Sequence, residues 1–172
     1  MSDATAVDLA LLLFRVGVGV VMLAHGINHV FGGGRIAGTA RWFGSMGMRP
    51  PLVQAWLASL TEIGAGVLLV LGLLTPFGGA GVVGTMAVAW IINHRKNGFF
   101  IFRPGEGYEY VMTLLLSGVA LGTIGAGKYS LDEALAIRAD LYGSPGLVIS
   151  LGAGGVGALL LLAACWRPPA KS

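Results

Sequence analysis

Five mainly apolar runs divide the chain: residues 9–30, 52–74, 77–94, 110–124 and 147–166. A helix that crosses a bilayer needs roughly 20 such residues, so each run is read as a transmembrane helix. The fourth run is the shortest and reaches both surfaces only with its flanking residues. Thr75-Pro76 alone joins the second run to the third, and so tight a hairpin makes those two helices antiparallel neighbours. The opening Met-Ser-Asp-Ala-Thr-Ala-Val-Asp is acidic, and the run after it exceeds the apolar core of a signal peptide. The first run is therefore expected to persist as a span.

Composition agrees with lipid as the solvent. Only 11% of the 172 residues are charged, against about 25% in soluble domains. Many of the 29 glycines lie inside the apolar runs, where small residues let helix backbones approach. The single cysteine, Cys165, excludes an intrachain disulfide and a CxxC motif, so dithiol chemistry by this chain alone is excluded too. Cys165 itself reads as a small hydrophobe. No basic run or aromatic-basic patch points to nucleic acid.

Five spans place the two termini on opposite sides. On the side away from the N-terminus, here side B, fall Arg35, Arg41, Arg49, Arg95, Lys96, Arg103, Arg167 and Lys171. The N-terminal side, side A, holds only Lys128 and Arg138. The positive-inside rule makes side B cytoplasmic, giving a multi-pass protein of the plasma (inner) membrane with its N-terminus outside and its C-terminus in the cytoplasm. All four tryptophans (Trp42, Trp56, Trp90 and Trp166) fall near side B, as an interfacial belt would. Residues 35–46 are expected to form a short interfacial helix. Ser130-Leu131-Asp132-Glu133 fits a capping box and is expected to open a helix on the side-A rim to about Tyr142, with Leu131, Leu135, Arg138 and Tyr142 on one face.

Three apparent motifs dissolve in context. Gly152 to Gly157 matches GxGxxG inside an apolar span, where it serves helix packing. Gly122 to Lys128 resembles a P-loop, but Tyr129 stands where the magnesium-binding Ser or Thr belongs. His25-Gly-Ile-Asn-His29 lacks the glutamate of HExxH. Gly118 and Gly122 form a GxxxG pair and are expected at a helix interface.

Ionisable residues inside spans are costly and are functional candidates by default. Here they are Arg15, His25 and Glu62, with His29, His94 and Glu109 nearer the rim. Arg15, Met22 and His29 are seven apart, and His25 lies one turn before His29, so this stripe is expected to face the bundle interior. Glu62 sits about 15 Å from either end of its helix and would be protonated or paired there; Arg15 is placed where its long side chain could reach toward it. Glu109, Thr113 and Ser117 form a second stripe. The topology gathers His25, His29, His94 and Glu109 toward side B, above a deeper Glu62.

Three chemistries fit such a set. A proton-coupled quinone site would use Glu62, His25 and Arg15, since histidine titrates near neutral pH. A metal could use His25, His29, His94 and Glu109. A haem could use two histidines on facing helices. Alternatively, Arg15, His25 and Glu62 only lock the helices together.

These same residues resemble the DoxX family of small membrane proteins. The resemblance runs from about Leu11 to Leu135. It takes in Arg15 and Gly19, His25-Gly26, Phe43 and Gly47 before Pro51, and Glu62 with Gly66. It continues through Gly72, Thr75, Met86, Ala89, His94 and Glu109 to the tail Gly125-Ala-Gly127-Lys-Tyr129-Ser130-Leu131-Asp132. The resemblance implies a four-helix membrane bundle. Its namesake is a subunit linked to thiosulfate:quinone oxidoreduction, and other members are associated with oxidoreductase complexes and oxidative or thiol stress. Two departures stand out: the family often has lysine where this chain has His29, and the fifth run lies beyond the usual four helices.

The expected fold class is thus all-α: a transmembrane four-helix bundle with an additional C-terminal transmembrane helix. Residues 1–142 would form the bundle with its rim helix, and 143–172 the added helix and a short cytoplasmic tail. The added helix is a place for a partner or a second copy to dock. The expected function is an inner-membrane redox accessory subunit that holds a quinone or its protons, while an oxidoreductase partner on the cytoplasmic face supplies electrons. The alternatives are a membrane anchor or assembly factor, and a small-solute or lipid transporter.

Overall fold

The computed structural model describes residues 2–169, which are predominantly helical, with no strand among them beyond an isolated bridge between Met48 and Trp166. The long helices are α1 (Asp3–Phe31), α3 (Pro51–Leu71), α4 (Thr75–Ile92), α5 (Glu109–Ile124) and α6 (Ser144–Cys165), with α2 (Arg35–Ser45) lying between α1 and α3 in sequence. Four of them are long and apolar enough to cross a membrane; α5, at 16 residues, is shorter. The interfacial helix expected over residues 35–46 is α2.

Glycine decides how closely the spans meet. A Cβ on Gly19 would lie 2.9 Å from the Gly66 carbonyl oxygen, and one on Gly26 would lie 2.8 Å from that of Ser59. The backbones of α1 and α3 therefore touch along their length, as small residues permit in lipid. The GxxxG pair behaves in the same way. Gly118 meets Val82 and Gly79 of α4, and Gly122 meets Ser150 of α6. α4 is the central helix, packed by α3, α5 and α6. Met22, Leu69, Val82 and Leu121 form a fully buried core. In contrast, Leu13, Leu60, Leu116 and Leu160 are all more than half exposed. So apolar an exterior suits acyl chains rather than water.

The α3–α4 turn is built by residues distant in sequence. α3 stops at Leu71, earlier than residue 74, because Gly72 takes a left-handed φ of 62° and Leu74 follows at 46°. Thr75 and Pro76 then belong to the first turn of α4. Asp132, fully buried, caps that turn. Its carboxylate accepts hydrogen bonds from Leu74 N (2.6 Å), Thr75 N (3.0 Å), Thr75 Oγ1 (2.7 Å) and the Tyr142 hydroxyl (2.8 Å). A carboxylate at a helix N-terminus also meets the positive end of the helix dipole.

Arg15 does the reverse at the end of α3. Its guanidinium donates to the carbonyls of Leu69 (2.8 Å) and Val70, and to those of Ala126 (3.3 Å) and Tyr129 in the loop that follows α5. The Leu69 and Val70 carbonyls belong to the last turn of α3, where the regular helical ladder runs out and only Gly72 N reaches back to Leu69 O at 3.2 Å, and they carry the negative end of the dipole. The expected Arg15–Glu62 pair is thus corrected: Gly72 lies against the Arg15 guanidinium, 2.9 Å from it had glycine carried a Cβ.

The rim helix is also corrected. The capping box forms, with Ser130 Oγ accepting from Glu133 N at 3.2 Å. The helix lasts only Leu131–Ala134, then breaks where Ala136 turns left-handed (φ 55°), and a second short turn follows over Arg138–Leu141. The break lets Tyr142 point inward to Asp132 instead of sharing an outer face with Leu131.

Two outcomes follow for the detergent-solubilised protein. Asp132→Ala leaves two N–H groups and two hydroxyls without their acceptor and should cost about 3 kcal/mol of stability, read as a lowered midpoint in thermal unfolding. Burial raises the Tyr142 hydroxyl above its ordinary value near 10, reinforced by Asp132 and opposed by the Ala126 N–H. A raised acid stabilises the fold fully below its unfolded value and loses that contribution as pH rises through the folded one. The wild type should therefore lose stability above about pH 10 more steeply than Tyr142→Phe does.

Candidate functional site

A cavity of about 530 Å³ opens in the side-B half of the molecule, within the size range of small-molecule sites. Its wall is mainly apolar. α2 and the residues after it cover it with Trp42, Phe43 and Met46, and α1 and α5 close one end. The polar atoms in that wall include those of Glu62, His29, His25 and Tyr110.

Glu62 and His29 meet. His29 Nδ1 lies 3.1 Å from Glu62 Oε2, with the two side chains only 15% and 7% exposed. The distance is that of an ion pair, but the imidazole is not angled for a hydrogen bond, and neither atom has a hydrogen-bond partner. Most buried polar atoms in folded proteins have a hydrogen-bond partner, so two facing atoms without one call for an explanation. α2 holds the histidine from above: Thr39 Oγ1 donates to the His29 carbonyl at 2.9 Å, and the Phe43 ring stands edge-on to the imidazole at 6.0 Å.

Helix direction explains the pairing. Side chains lean toward the N-terminus of their own helix. α1 runs from side A to side B, so His29 leans inward from the rim. α3 runs the other way, so Glu62 leans outward from the middle. The same lean carries Arg15 toward side A, away from Glu62.

His25, one turn before His29, is more exposed. Its Nε2 lies 3.3 Å from the Tyr110 hydroxyl, with the rings 5.9 Å apart. His94 reaches the cavity at its side-B mouth, where its Nδ1 contacts the Glu106 carbonyl at 2.9 Å. The structure thus brings His25, His29, Glu62 and His94 to one cavity.

It does not bring Arg15 or Glu109 there. Glu109 Oε2 instead accepts from Ile101 N at 3.2 Å and so braces the loop between α4 and α5. Thr113 and Ser117 donate to the carbonyls of Glu109 and Thr113, within α5. The expected Glu109 stripe therefore joins no site. Among the described residues no three His, Cys, Asp or Glu side chains converge as metal ligands would.

Sequence reasoning missed two residues that matter here. Tyr110 reads as the start of a span, and only the α1–α5 contact reveals it as the partner of His25. Asp132 reads as the third residue of a capping box, although its charge in the first turn of a short segment beside Gly-rich turns was a usable sign.

The comparisons cover the part of the resemblance that ends at His94 and do not reach Glu109 or the tail from Gly125 to Asp132. The DoxX family model matches residues 10–95, half of the chain, covering α1 to the end of α4 with Arg15, His25, His29, Glu62 and His94. No curated protein and no solved structure matches. On the family model, the apolar helices and the buried polar residues between them, this chain is a member of the DoxX family of membrane proteins.

Proposed function

We propose that this protein is an integral membrane redox accessory subunit whose cavity receives the head of a lipid-soluble quinone. The observation that supports this reading best is the buried, unsatisfied Glu62–His29 pair in the wall of a mainly apolar cavity. A quinone head is an apolar ring bearing two carbonyl acceptors. The wall matches it with apolar surface and with candidate donors: an imidazole N–H of His29 or His25, and the Tyr110 hydroxyl.

A bound quinone would supply two-electron, two-proton chemistry. In this reading an oxidoreductase partner would supply the electrons. The chain's own residues would orient the head, exclude water and handle protons. Glu62 with His29 can hold a proton inside the membrane, and His94 stands where one would enter from side B. The excess of Lys and Arg there supports a cytoplasmic side B, and in this reading the membrane is the inner one and the partner would dock on that face. The membrane-anchor alternative draws on the Arg15 and Asp132 contacts, which stabilise helix ends and touch no part of this cavity.

Lipid extracted from the purified full chain is expected to contain a quinone. Glu62→Gln and His29→Gln should each weaken quinone binding about tenfold, the worth of one charge-assisted hydrogen bond, without lowering the thermal midpoint. His25→Ala should have a smaller effect. If the variants bind as the wild type does, or lose stability with no quinone found in any of them, the anchor reading stands instead.

A further inference from the structure

α3 and α6 both pack on α4 but make no substantial contact with each other. The gap between them belongs to the cavity: Leu57 and Thr61 of α3 face it on one side, Gly157 and Leu161 of α6 on the other. α4 supplies the floor. Gly81, Gly84 and Val88 are only half-buried, although Val82, Val83 and Met86 on the same helix are buried. The side-B end of the gap is stitched shut. Arg49 N donates to the Cys165 carbonyl (2.8 Å), Arg167 N to that of Gly47 (2.9 Å), and Trp166 Nε1 to that of Met46 (2.9 Å). The open direction is lateral, flanked by the exposed Leu60, Val156 and Leu160.

We propose that this gap is a second subsite, the seat of a long hydrocarbon chain carried by the ligand, and that the ligand enters from the bilayer between α3 and α6. The proposal rests on the quinone reading for the polar end, and it adds the tail and the route. Two observations choose the occupant. Glu62, with an unpartnered oxygen and 7% exposure, borders the same cavity as the gap and marks the head end. No Lys or Arg lines the cavity, and its imidazoles already face Glu62 (His29), Tyr110 (His25) and the Glu106 carbonyl (His94), so a phosphate-bearing lipid would find no permanently charged partner there and would sit beside a carboxylate. A neutral head on a flexible isoprenoid-type chain fits both conditions. α6 lies outside the matched residues 10–95, so the wall that would select the chain is an addition to the matched core.

Gly157→Leu tests this without disturbing the packing, because a Cβ at Gly157 meets no atom within 4 Å. The probes are a chain-less benzoquinone, a long-chain quinone and a prenyl alcohol of the same chain length, each titrated against the full-length protein in detergent. Gly157→Leu should weaken both chain-bearing probes about tenfold, the loss of roughly two buried methylenes, and leave the chain-less quinone unchanged. A thermal midpoint equal to that of the wild type confirms the fold, and Leu161→Trp should repeat the pattern. The proposal fails if chain-bearing probes bind both variants as tightly as the wild type, or if no chain-bearing probe binds the wild type. If the prenyl alcohol and the quinone bind equally and Glu62→Gln moves neither, the chain subsite stands and the quinone reading falls.

Discussion

In a bilayer a polar group has no water to fall back on, and this constraint organises the whole molecule. Each buried charge must find its partner within the chain. Arg15 and Asp132 do so through four hydrogen bonds each. One neutralises the carbonyl end of α3, the other the N–H end of α4, and together they close the turn between those helices with residues drawn from α1 and from the loop after α5. Glu62 and His29 do so only in part, since they face each other without a hydrogen bond. The difference separates a structural set of charges from a set with capacity left for a ligand.

Much of this was legible beforehand because periodicity and hydropathy act locally. The five helices, the α2 interfacial helix, the inward face of Arg15, Met22 and His29, and the Gly118–Gly122 interface all follow from spacing. Partner choice did not follow. Depth counted along helix axes puts Arg15 and Glu62 within reach of each other and leaves His29 at the rim. The lean of side chains toward each helix's N-terminus reverses both conclusions, and that lean acts only once the antiparallel register of α1 and α3 is known. Glu109 misled for another reason. Its place in the first turn of α5 suits a ligand and a loop brace equally, and the neighbouring Ile101 N–H decides the matter. The rim helix failed at Ala136, a residue that carries no turn signal of its own.

The family core and its additions divide the labour. The matched residues supply His25, His29 and Glu62 at the polar end of the cavity, while Tyr110 and α6, beyond them, supply a further polar atom and part of the apolar wall. The segment from Gly125 to Asp132 lies beyond the matched residues but serves the same turn: its carbonyls receive Arg15, and its aspartate caps α4.

The most direct test is a distance inside the membrane. Solid-state NMR on the full chain in lipid, with isotope labels in the glutamate carboxyls, the histidine rings and the arginine guanidinium groups, reads dipolar coupling between chosen pairs. Strong coupling is expected between the Glu62 carboxyl and His29 Nδ1, in keeping with their 3.1 Å contact. Coupling of Glu62 to the Arg15 guanidinium in place of His29 would contradict the register, the cavity and the site together.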